Sequence, residues 1–466
     1  MFCLSKGYVN TIDIKPSKRQ LDWAQNDYYG MVSFSMGTFT GKQVGDGYAV
    51  PDTFAPENID TDEWAKLASK AGMSGLLITA KSYDGFCIWQ TESTDYSVKN
   101  SSWMNGVGDV VGMLAQSCRK YGLKFGINIT VWDRHEPAFK QGNEYNGIFK
   151  KQIEELLTNY GEIFEIRIDD ACGENMTFEF DYKGVFALIR KLQPDAVISY
   201  CGPDVRWVGN DRGFTRKEEW SVIPSYFRRN EDGTLNTPSK KTKSNEMILD
   251  LGSRKAVKRD SEFVWYPCEV NVNMRDHAFY LKDDNYSVKT KDKLHRLYLS
   301  TVGSNSAFLL NISPDKRGHI FDTDSQILTS FGHDLKVMFG YNLLKESSVS
   351  ASSCVSELYS ADNIISEDTE RFWRAGANDK KPELIIKLNG KDMFDKVVIR
   401  EHITNGQHVE KFKVFVLNSG KWTLFGKGTV IGNKCIIANK PTETDSIKIV
   451  FEKYRGFIEI SSVIIN

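Results

Sequence analysis

Apolar runs of strand length recur along the first two thirds of the chain, and segments with helical periodicity separate them. Eight runs are predicted as strands, at Gly30–Ser35, Gly75–Ala80, Lys124–Trp132, Ile163–Asp169, Val197–Cys201, Trp220–Ile223, Phe263–Cys268 and Ser306–Asn311. Helices are predicted at Lys18–Asp27, Thr61–Ala71, 109–121, Gly147–Asn159, Lys183–Leu192 and Lys291–Val302. Alternating strands and helices favour a parallel sheet covered by helices, and eight such units favour a closed (β/α)8 barrel over an open sheet.

The pattern changes near residue 340. The later chain consists of short alternating strands rich in Val, Ile, Lys, Ser and Thr, separated by turns that carry Gly or Asn. Strands are predicted at Leu384–Leu388, Lys396–Glu401, Lys411–Leu417 and Ser446–Glu452. This pattern of short strands and turns is typical of an antiparallel β-sandwich. We therefore predict a barrel domain over residues 1–342 and a β-sandwich over residues 343–466.

The composition excludes several classes of function. Lys and Arg number 60 against 61 Asp and Glu, a net charge of −1, so we expect no nucleic-acid partner. No apolar run reaches the roughly 18 residues of a membrane span. The 8 cysteines contain no CxxC pair, which fits neither a zinc site nor a dense disulfide framework. No GxGxxG or phosphate-loop motif follows a predicted strand, which weakens a nucleotide-binding function.

The fourth predicted strand lies in Tyr160–Glu174 and ends with two adjacent carboxylates, Asp169 and Asp170. The carboxyl ends of the strands form the catalytic face of a (β/α)8 barrel, so these acids would lie at its mouth. A single Asp after a strand is more often the N-cap of the next helix. Two adjacent acids with Glu174 close behind them favour a site.

Polar and aromatic residues follow the other predicted strands and would converge on the same mouth. They are Ser33 and Ser35; Lys81, Ser82, Tyr83, Asp84 and Trp89; Trp132, Asp133, Arg134 and His135; Asp204, Arg206, Trp207 and Asp211; and Glu269, Arg275 and His277. Carboxylates and indoles together suit cleavage of a sugar acetal, in which one carboxylate attacks the anomeric carbon and one carboxylic acid protonates the leaving oxygen. No two-His-one-carboxylate pattern is present, so we expect neither a metal nor a cofactor.

Several sequence segments along the whole chain match those of a known family, in the same order. They are PSKRQLDW, TFT, GDG, TAKSYDGFCIW, SVKNSSW, GDVV, CRKYGLKFGI, TNYGEIFEIRIDDACGE, LQPDAVI, GPDVRWVGN and LLNISPDKRG, followed by SADNIISEDTERFW and IREHITNGQHVEKFKV. With these, the chain resembles the α-L-fucosidases of glycoside hydrolase family 29, in the branch with a discoidin-like (F5/8 type C-like) sandwich. The resemblance implies an exo-acting retaining glycosidase acting on an oligosaccharide or polysaccharide, with Asp169 as nucleophile and Asp211 in the position of the acid/base.

Several positions depart from the family's pattern. Arg167, Ile168 and Asp170 stand around the nucleophile where the family usually has Trp, Phe and Gly. Histidines of the family are replaced by Ser33, Ser82 and Tyr83, and the acid/base glutamate by the shorter Asp211. The late segment has His277, Ala278 and Leu281 where the family usually has Gly, Trp and His.

These departures predict a changed sugar pocket. Each lost histidine contact to a sugar hydroxyl removes roughly 0.5–1.5 kcal/mol of binding. Ser33 opens volume, and Arg167 and Arg275 are cations that could bind an oxygen or sulfate on carbon 6, as in an α-L-galactoside. The alternative for Arg167 is a buried charge paired with Glu165 or Asp170. A fucosidase with a rebuilt pocket is a further reading.

Other assignments stay open at this stage. Glu174, Glu218, Glu219 and Glu269 are alternatives to Asp211 as the acid, and Trp89, Trp132 and Trp207 either floor the sugar site or pack in the core. A catalytically impaired glycan-binding homologue is the competing function, although retention of a buried, costly anion at Asp169 argues against it. From the resemblance we expect a periplasmic or extracellular location, although no signal peptide is visible in this chain.

Overall fold

The structure is a computed structural model that describes residues 11–140, 143–173, 179–216, 218–236, 250–259, 262–366, 368 and 370–466. Glu174, one alternative for the catalytic acid, lies outside these residues. Within the described residues the chain forms a closed barrel followed by an antiparallel sheet.

Eight parallel strands close the barrel, as the alternation of strands and helices predicts. They are β1 (Tyr28–Val32), β2 (Gly75–Lys81), β3 (Lys124–Thr130), β4 (Glu165–Asp169), β5 (Val197–Tyr200), β6 (Val205–Trp207), β9 (Cys268–Asn273) and β10 (Ser306–Ile312). The ring closes because β1 pairs with both β2 and β10. Every residue of β2 is buried, as expected for strands covered on both faces.

Helices lie between most of the strands, and all six predicted segments are helical to within a few residues, whereas Met36–Thr40 and Asp322–Gly340 were not predicted. They are α1 (Lys18–Ala24), α2 (Met36–Thr40), α3 (Thr61–Lys70), α4 (Val110–Lys120), α5 (Asn143–Thr158), α6 (Tyr182–Leu192), α7 (Lys291–Thr301) and α8 (Asp322–Gly340). Side-chain N-caps begin two of these helices. The Asp60 side chain accepts a hydrogen bond from the Glu63 amide at the start of α3, and the Asp181 side chain accepts one from the Gly184 amide at the start of α6.

The predicted sixth and seventh barrel strands were wrong. The segments near Trp220 and Phe263 form a separate antiparallel ribbon of β7 (Val222–Pro224) and β8 (Phe263–Trp265). The barrel instead uses β6, which follows β5 after a turn of only four residues, 201–204, without a helix. Such a short strand shows too little apolar periodicity to be recognised in the sequence.

The β-ribbon formed by β7 and β8 lies between the barrel and the C-terminal sheet. Val222 and Trp265 pack in the same apolar cluster as Val205 of β6. On the other side, Trp220 packs in a second cluster with Val430 of the C-terminal sheet domain. The ribbon is therefore in apolar contact with both parts of the chain.

The C-terminal part is an antiparallel sheet, as its alternating pattern predicts. Its strands are β11 (Ser348–Ala351), β12 (Trp373–Arg374), β13 (Glu383–Glu401), β14 (Val409–Asn418), β15 (Lys421–Gly428), β16 (Cys435–Tyr454) and β17 (Glu459–Ile465). The long strands β13 and β16 pair in three stretches along their length, with a register shift between each stretch and the next. All four predicted strands fall within β13, β14 and β16.

An ion cluster joins the sheet to the barrel. Asp27, at the start of β1, accepts a bond of 2.8 Å from Arg400 and contacts Lys434, while Asn433 donates to its other oxygen at 3.1 Å. Although burial opposes its charge, Arg400 and Lys434 lower the pKa of Asp27. Backbone bonds reinforce the joint, since Ile436 donates to the carbonyl of Gly303 at 3.1 Å.

Within the described residues, none of the helices combines the length and the apolar character that crossing a membrane requires.

We predict that Asp27→Asn lowers the free energy of unfolding by about 3 kcal/mol, because Arg400 and Lys434 would face each other without a carboxylate. Urea denaturation measures the loss. The control is Asp22→Asn, which removes an acid from an exposed pair with Lys18, and it should leave the midpoint nearly unchanged. Equal midpoints for the two variants would contradict the role of the Asp27 cluster.

Candidate active site

Asp169 is the last residue of β4 and lies at the carboxyl end of the barrel, as predicted. Its side chain is largely buried, with 8% of the residue exposed. The Tyr83 hydroxyl donates to Oδ2 at 2.7 Å, and the Ala171 amide donates to Oδ1 at 3.0 Å. The Val131 amide in turn holds the Asp169 carbonyl at 2.8 Å, so backbone and carboxylate are both fixed.

Aromatic rings from the ends of β2 and β3 stand beside this carboxylate. The ring of Tyr83 lies 5.5 Å from that of Trp132, and the Arg134 guanidinium lies over Trp132 at 5.4 Å. Burial and the nearby charge of Asp169 raise the pKa of Tyr83, so its phenol stays protonated and acts as a donor. Tyr83 and Trp132, both predicted from the sequence, therefore belong to the mouth.

Tyr200 is a mouth residue that the sequence did not point to. It ends β5 with a φ of 68°, in the left-handed region that a non-glycine residue rarely adopts. Its ring stacks on Trp207 at 5.3 Å, and the guanidinium of Arg167 lies over it at 4.4 Å. The unusual backbone directs the ring between the cation and the indole, which only the structure could reveal.

Arg167 lies below the mouth, inside the barrel. Its Nε donates to Glu269 at 3.1 Å and its Nη1 donates to Asn128 at 2.9 Å. The buried-charge alternative was therefore right in kind, although the partner is Glu269 and neither Glu165 nor Asp170. Burial opposes the charge, yet Glu269 and Asp169 together raise the pKa of Arg167.

Two glutamates meet in this interior layer. Tyr29 donates to Glu269 at 2.7 Å, while Trp23 and Ser199 donate to Glu165 at 2.8 and 2.6 Å. Burial, with the adjacent Glu269 carboxylate, raises the pKa of Glu165 well above its usual value. Burial therefore favours the protonated form of Glu165, while Glu269 pairs with Arg167.

Asp211 lies in the turn after β6 and is exposed. The Asn210 side chain shapes this turn, because its oxygen accepts the amides of Arg212 and Phe214 at 3.1 and 3.2 Å. The charges of Asp169, Asp170 and Asp211 all raise the pKa of Tyr200, after the larger effect of burial. The three carboxylates therefore lie near one phenol, at one end of the barrel.

The comparisons with known proteins can be set beside this geometry. The family model described as Alpha-L-fucosidase matches residues 12–338, and the model described as F5/8 type C domain matches residues 348–464.

The chain belongs to the α-L-fucosidase family.

Its relatives share most of its length. Alpha-L-fucosidase 1 of Arabidopsis thaliana is 34% identical over 450 residues, which cover 94% of this chain and 85% of that protein. The putative alpha-L-fucosidase 1 of Oryza sativa is 32% identical over 446 residues, which cover 95% and 83%. A family 29 fucosidase of Ruminococcus gnavus, solved in complex with fucose, has a TM-score of 0.87 at 28% identity and covers 97% of this chain and 95% of that chain. This α-L-fucosidase family member is therefore a glycoside hydrolase, as the resemblance implied.

Four predicted pocket residues do not reach the mouth of this fucosidase-family barrel. Lys81 donates to Tyr145 and Gln152 of α5 at 2.8 and 2.9 Å, and Trp89 donates to Glu155 of the same helix at 3.0 Å. These two side chains face the helix layer rather than the barrel axis, and both are fully buried. The structure therefore places both side chains against α5 and not at the mouth.

The two predicted cations of the later strands are likewise bound elsewhere. Arg275 makes two bonds of 2.8 Å to Asp324 of α8. Arg206 pairs with Glu219, which also contacts Arg216. Glu219 is thus a structural counter-ion and not the acid, and Glu269 is occupied by Arg167, which leaves Glu218 as the other described alternative to Asp211.

The remaining predicted residues lie close to the strand ends. The Ser33 hydroxyl donates to the Asn311 side chain at 2.7 Å, and the Ser82 carbonyl accepts the Gly85 amide at 3.0 Å. Asp170 accepts a bond of 2.8 Å from Tyr182, and burial raises its pKa. Among the described residues no group of three or more His, Cys, Asp or Glu is placed to hold a metal ion.

We predict that Glu165→Gln changes how stability depends on pH. Folding of the wild type takes up a proton at Glu165 above the ordinary carboxyl pKa of about 4.3, so its unfolding free energy falls as pH rises by about 1.4 kcal/mol per unit for that proton. Glu165→Gln lacks this term, and its stability should gain on the wild type from pH 5 to pH 8 in urea titrations. The control is the exposed Glu162→Gln, which should keep the wild-type dependence of unfolding free energy on pH. The same wild-type dependence in Glu165→Gln would show that Glu165 carries no proton in the folded protein.

Proposed function

We propose that this protein is an exo-acting retaining α-L-glycosidase that removes terminal fucose-like sugars from glycans. The observation that carries the proposal is the carboxylate of Asp169, largely buried at the barrel mouth with a hydrogen-bond donor on each oxygen. A buried anion is costly, and donors that hold it in one orientation suit an attacking group.

In the proposed reaction Asp169 attacks the anomeric carbon while the bond to the leaving oxygen breaks. Asp211 protonates that oxygen, then removes a proton from the water that hydrolyses the glycosyl–Asp169 intermediate. Retention requires the two carboxyl groups to lie about 5–5.5 Å apart during the reaction. Asp211 is short and lies on an exposed turn, so the turn rather than the side chain would set this distance.

The sugar is proposed as α-L-fucose or its 6-hydroxylated relative, α-L-galactose. Arg167 and Arg275 both bind buried carboxylates, so neither supports a sulfated sugar. The fucose complex of the Ruminococcus gnavus relative supports the fucose-like class.

The second candidate is a glycan-binding homologue with impaired catalysis. The exposure of Asp211 favours it, because a general acid usually works in a less solvated environment.

We predict that Asp169→Asn lowers kcat on nitrophenyl α-L-fucoside or α-L-galactoside on the order of a thousandfold or more, because the attacking oxygen loses its charge. The matched control is Asp195→Asn, an exposed acid before β5 at the opposite end of the barrel. NMR of the first-formed sugar should show the α anomer. A β anomer would contradict retention, and wild-type protein that binds glycans without turnover would favour the second candidate.

We predict that Tyr83→Phe lowers kcat/KM about 10- to 100-fold, because a hydrogen bond to a charged group contributes about 1.5–3 kcal/mol. Tyr160→Phe is the control, because Tyr160 donates to Asp109 at 2.9 Å beside α4. A kcat/KM for Tyr83→Phe equal to that of the wild type would show that this phenol does not act on the nucleophile.

A further inference from the structure

A loose ion pair lies next to the proposed nucleophile. Asp170 directly follows Asp169, and its Oδ2 lies 3.7 Å from Nη2 of Arg229. This separation exceeds a hydrogen bond, although both side chains are largely enclosed, with 18% of Arg229 and 24% of Asp170 exposed. A charge pair this enclosed would normally close to direct contact.

Other contacts hold the two groups apart. The Tyr182 hydroxyl donates to the same Oδ2 of Asp170 at 2.8 Å, while the Arg229 guanidinium stacks on the Tyr182 ring at 3.6 Å. Nη1 of Arg229 donates to the Gly233 carbonyl at 3.0 Å. Tyr182 therefore positions both charges, and neither can move to the other without losing an existing contact.

Arg229 retains unused donors. Its Nε is buried and has no hydrogen-bond partner among the described residues, and Nη2 reaches only the distant Asp170 oxygen. A buried donor without a partner is costly unless something supplies an acceptor.

Backbone hydrogen bonds and close packing hold the hairpin that carries Arg229. Arg229 bridges Leu235, and Asn230 accepts the Gly233 amide and donates to the Thr234 carbonyl, at 2.9 and 2.8 Å. Gly233, with a φ of 82°, packs so closely on Tyr182 that a Cβ would come within 2.8 Å of that residue. The gap between the charges is therefore built into the fold.

We propose that Asp170 and Arg229 together bind one hydroxyl group of the glycan substrate, which accepts from Nη2 of Arg229 and donates to Asp170. An oxygen at hydrogen-bond distance from both atoms fits a gap of 3.7 Å. The pair as a whole is close to neutral, so it suits a hydroxyl, which both donates and accepts, better than an anion. This inference rests on the proposed function and adds Arg229 as a specificity residue.

The hydroxyl has two sources, the 6-position of the terminal sugar and the sugar that leaves. Three substrates separate them: nitrophenyl α-L-fucoside, nitrophenyl α-L-galactoside, and an α-L-fucosyl-galactose disaccharide. Arg229→Gln is compared with wild type on each. The control is Arg228→Gln, because the charge of the neighbouring Arg228 interacts with Tyr266, Asp204 and Glu231.

We expect Arg229→Gln to lower kcat/KM about tenfold or more on the substrate that carries the bound hydroxyl and little on nitrophenyl α-L-fucoside, as befits one charge-assisted hydrogen bond. A loss confined to the galactoside assigns the hydroxyl to carbon 6, and a loss confined to the disaccharide assigns it to the leaving sugar. Arg229→Lys should recover part of the loss, since it keeps a charged donor.

Equal losses on all three substrates, or the same pattern in Arg228→Gln, would overturn the assignment of the pair to carbon 6 or to the leaving sugar. Failure of wild type to cleave any of the three substrates would instead overturn the proposed function and this inference with it. Turnover by wild type without a selective loss in Arg229→Gln would overturn this inference alone.

Discussion

The buried guanidinium of Arg167 is the constraint on which the barrel mouth depends. Its charge cannot stand alone in the interior, so it pairs with Glu269, and burial beside that carboxylate raises the pKa of Glu165. The same group supports the ring of Tyr200 from below and lies close enough to Asp169 for the two charges to interact. Below the site there is thus a buried layer of charged groups, in which the pairing of Arg167 with Glu269 affects the pKa of Glu165.

Above this layer the site is organised by phenols. Tyr83 holds Asp169, Tyr182 holds Asp170, and Tyr200 stands near both carboxylates. Burial raises the pKa of such a phenol, so the phenol stays protonated and neutral. It can therefore donate a hydrogen bond that restrains a carboxylate without adding charge. This arrangement keeps two adjacent acids apart in role: one is directed at the barrel mouth, and the other is held beside Arg229.

The sequence predicted the parts of the molecule that periodicity controls. Long apolar strands such as β2 and β3 and the capped helices were recognisable, and Asp169 could be placed because it ends a strand. The three-residue β6 has too few residues to show a period. The directions of Lys81, Trp89 and Arg275 depend on which face of a strand end turns outward, and the φ of Tyr200 depends on packing, so neither was readable from residue type.

The β-ribbon between the barrel and the C-terminal sheet couples the stability of the two units. No helix lies between β5 and β6, and the ribbon packs against the barrel there. The opposite side of the ribbon packs against the sheet domain. Deleting the sheet domain would remove Val430 from the cluster around Trp220 and expose apolar surface that is prone to association. The two units are therefore not independent domains, because the sheet domain covers apolar surface of the ribbon, and the ribbon covers the barrel.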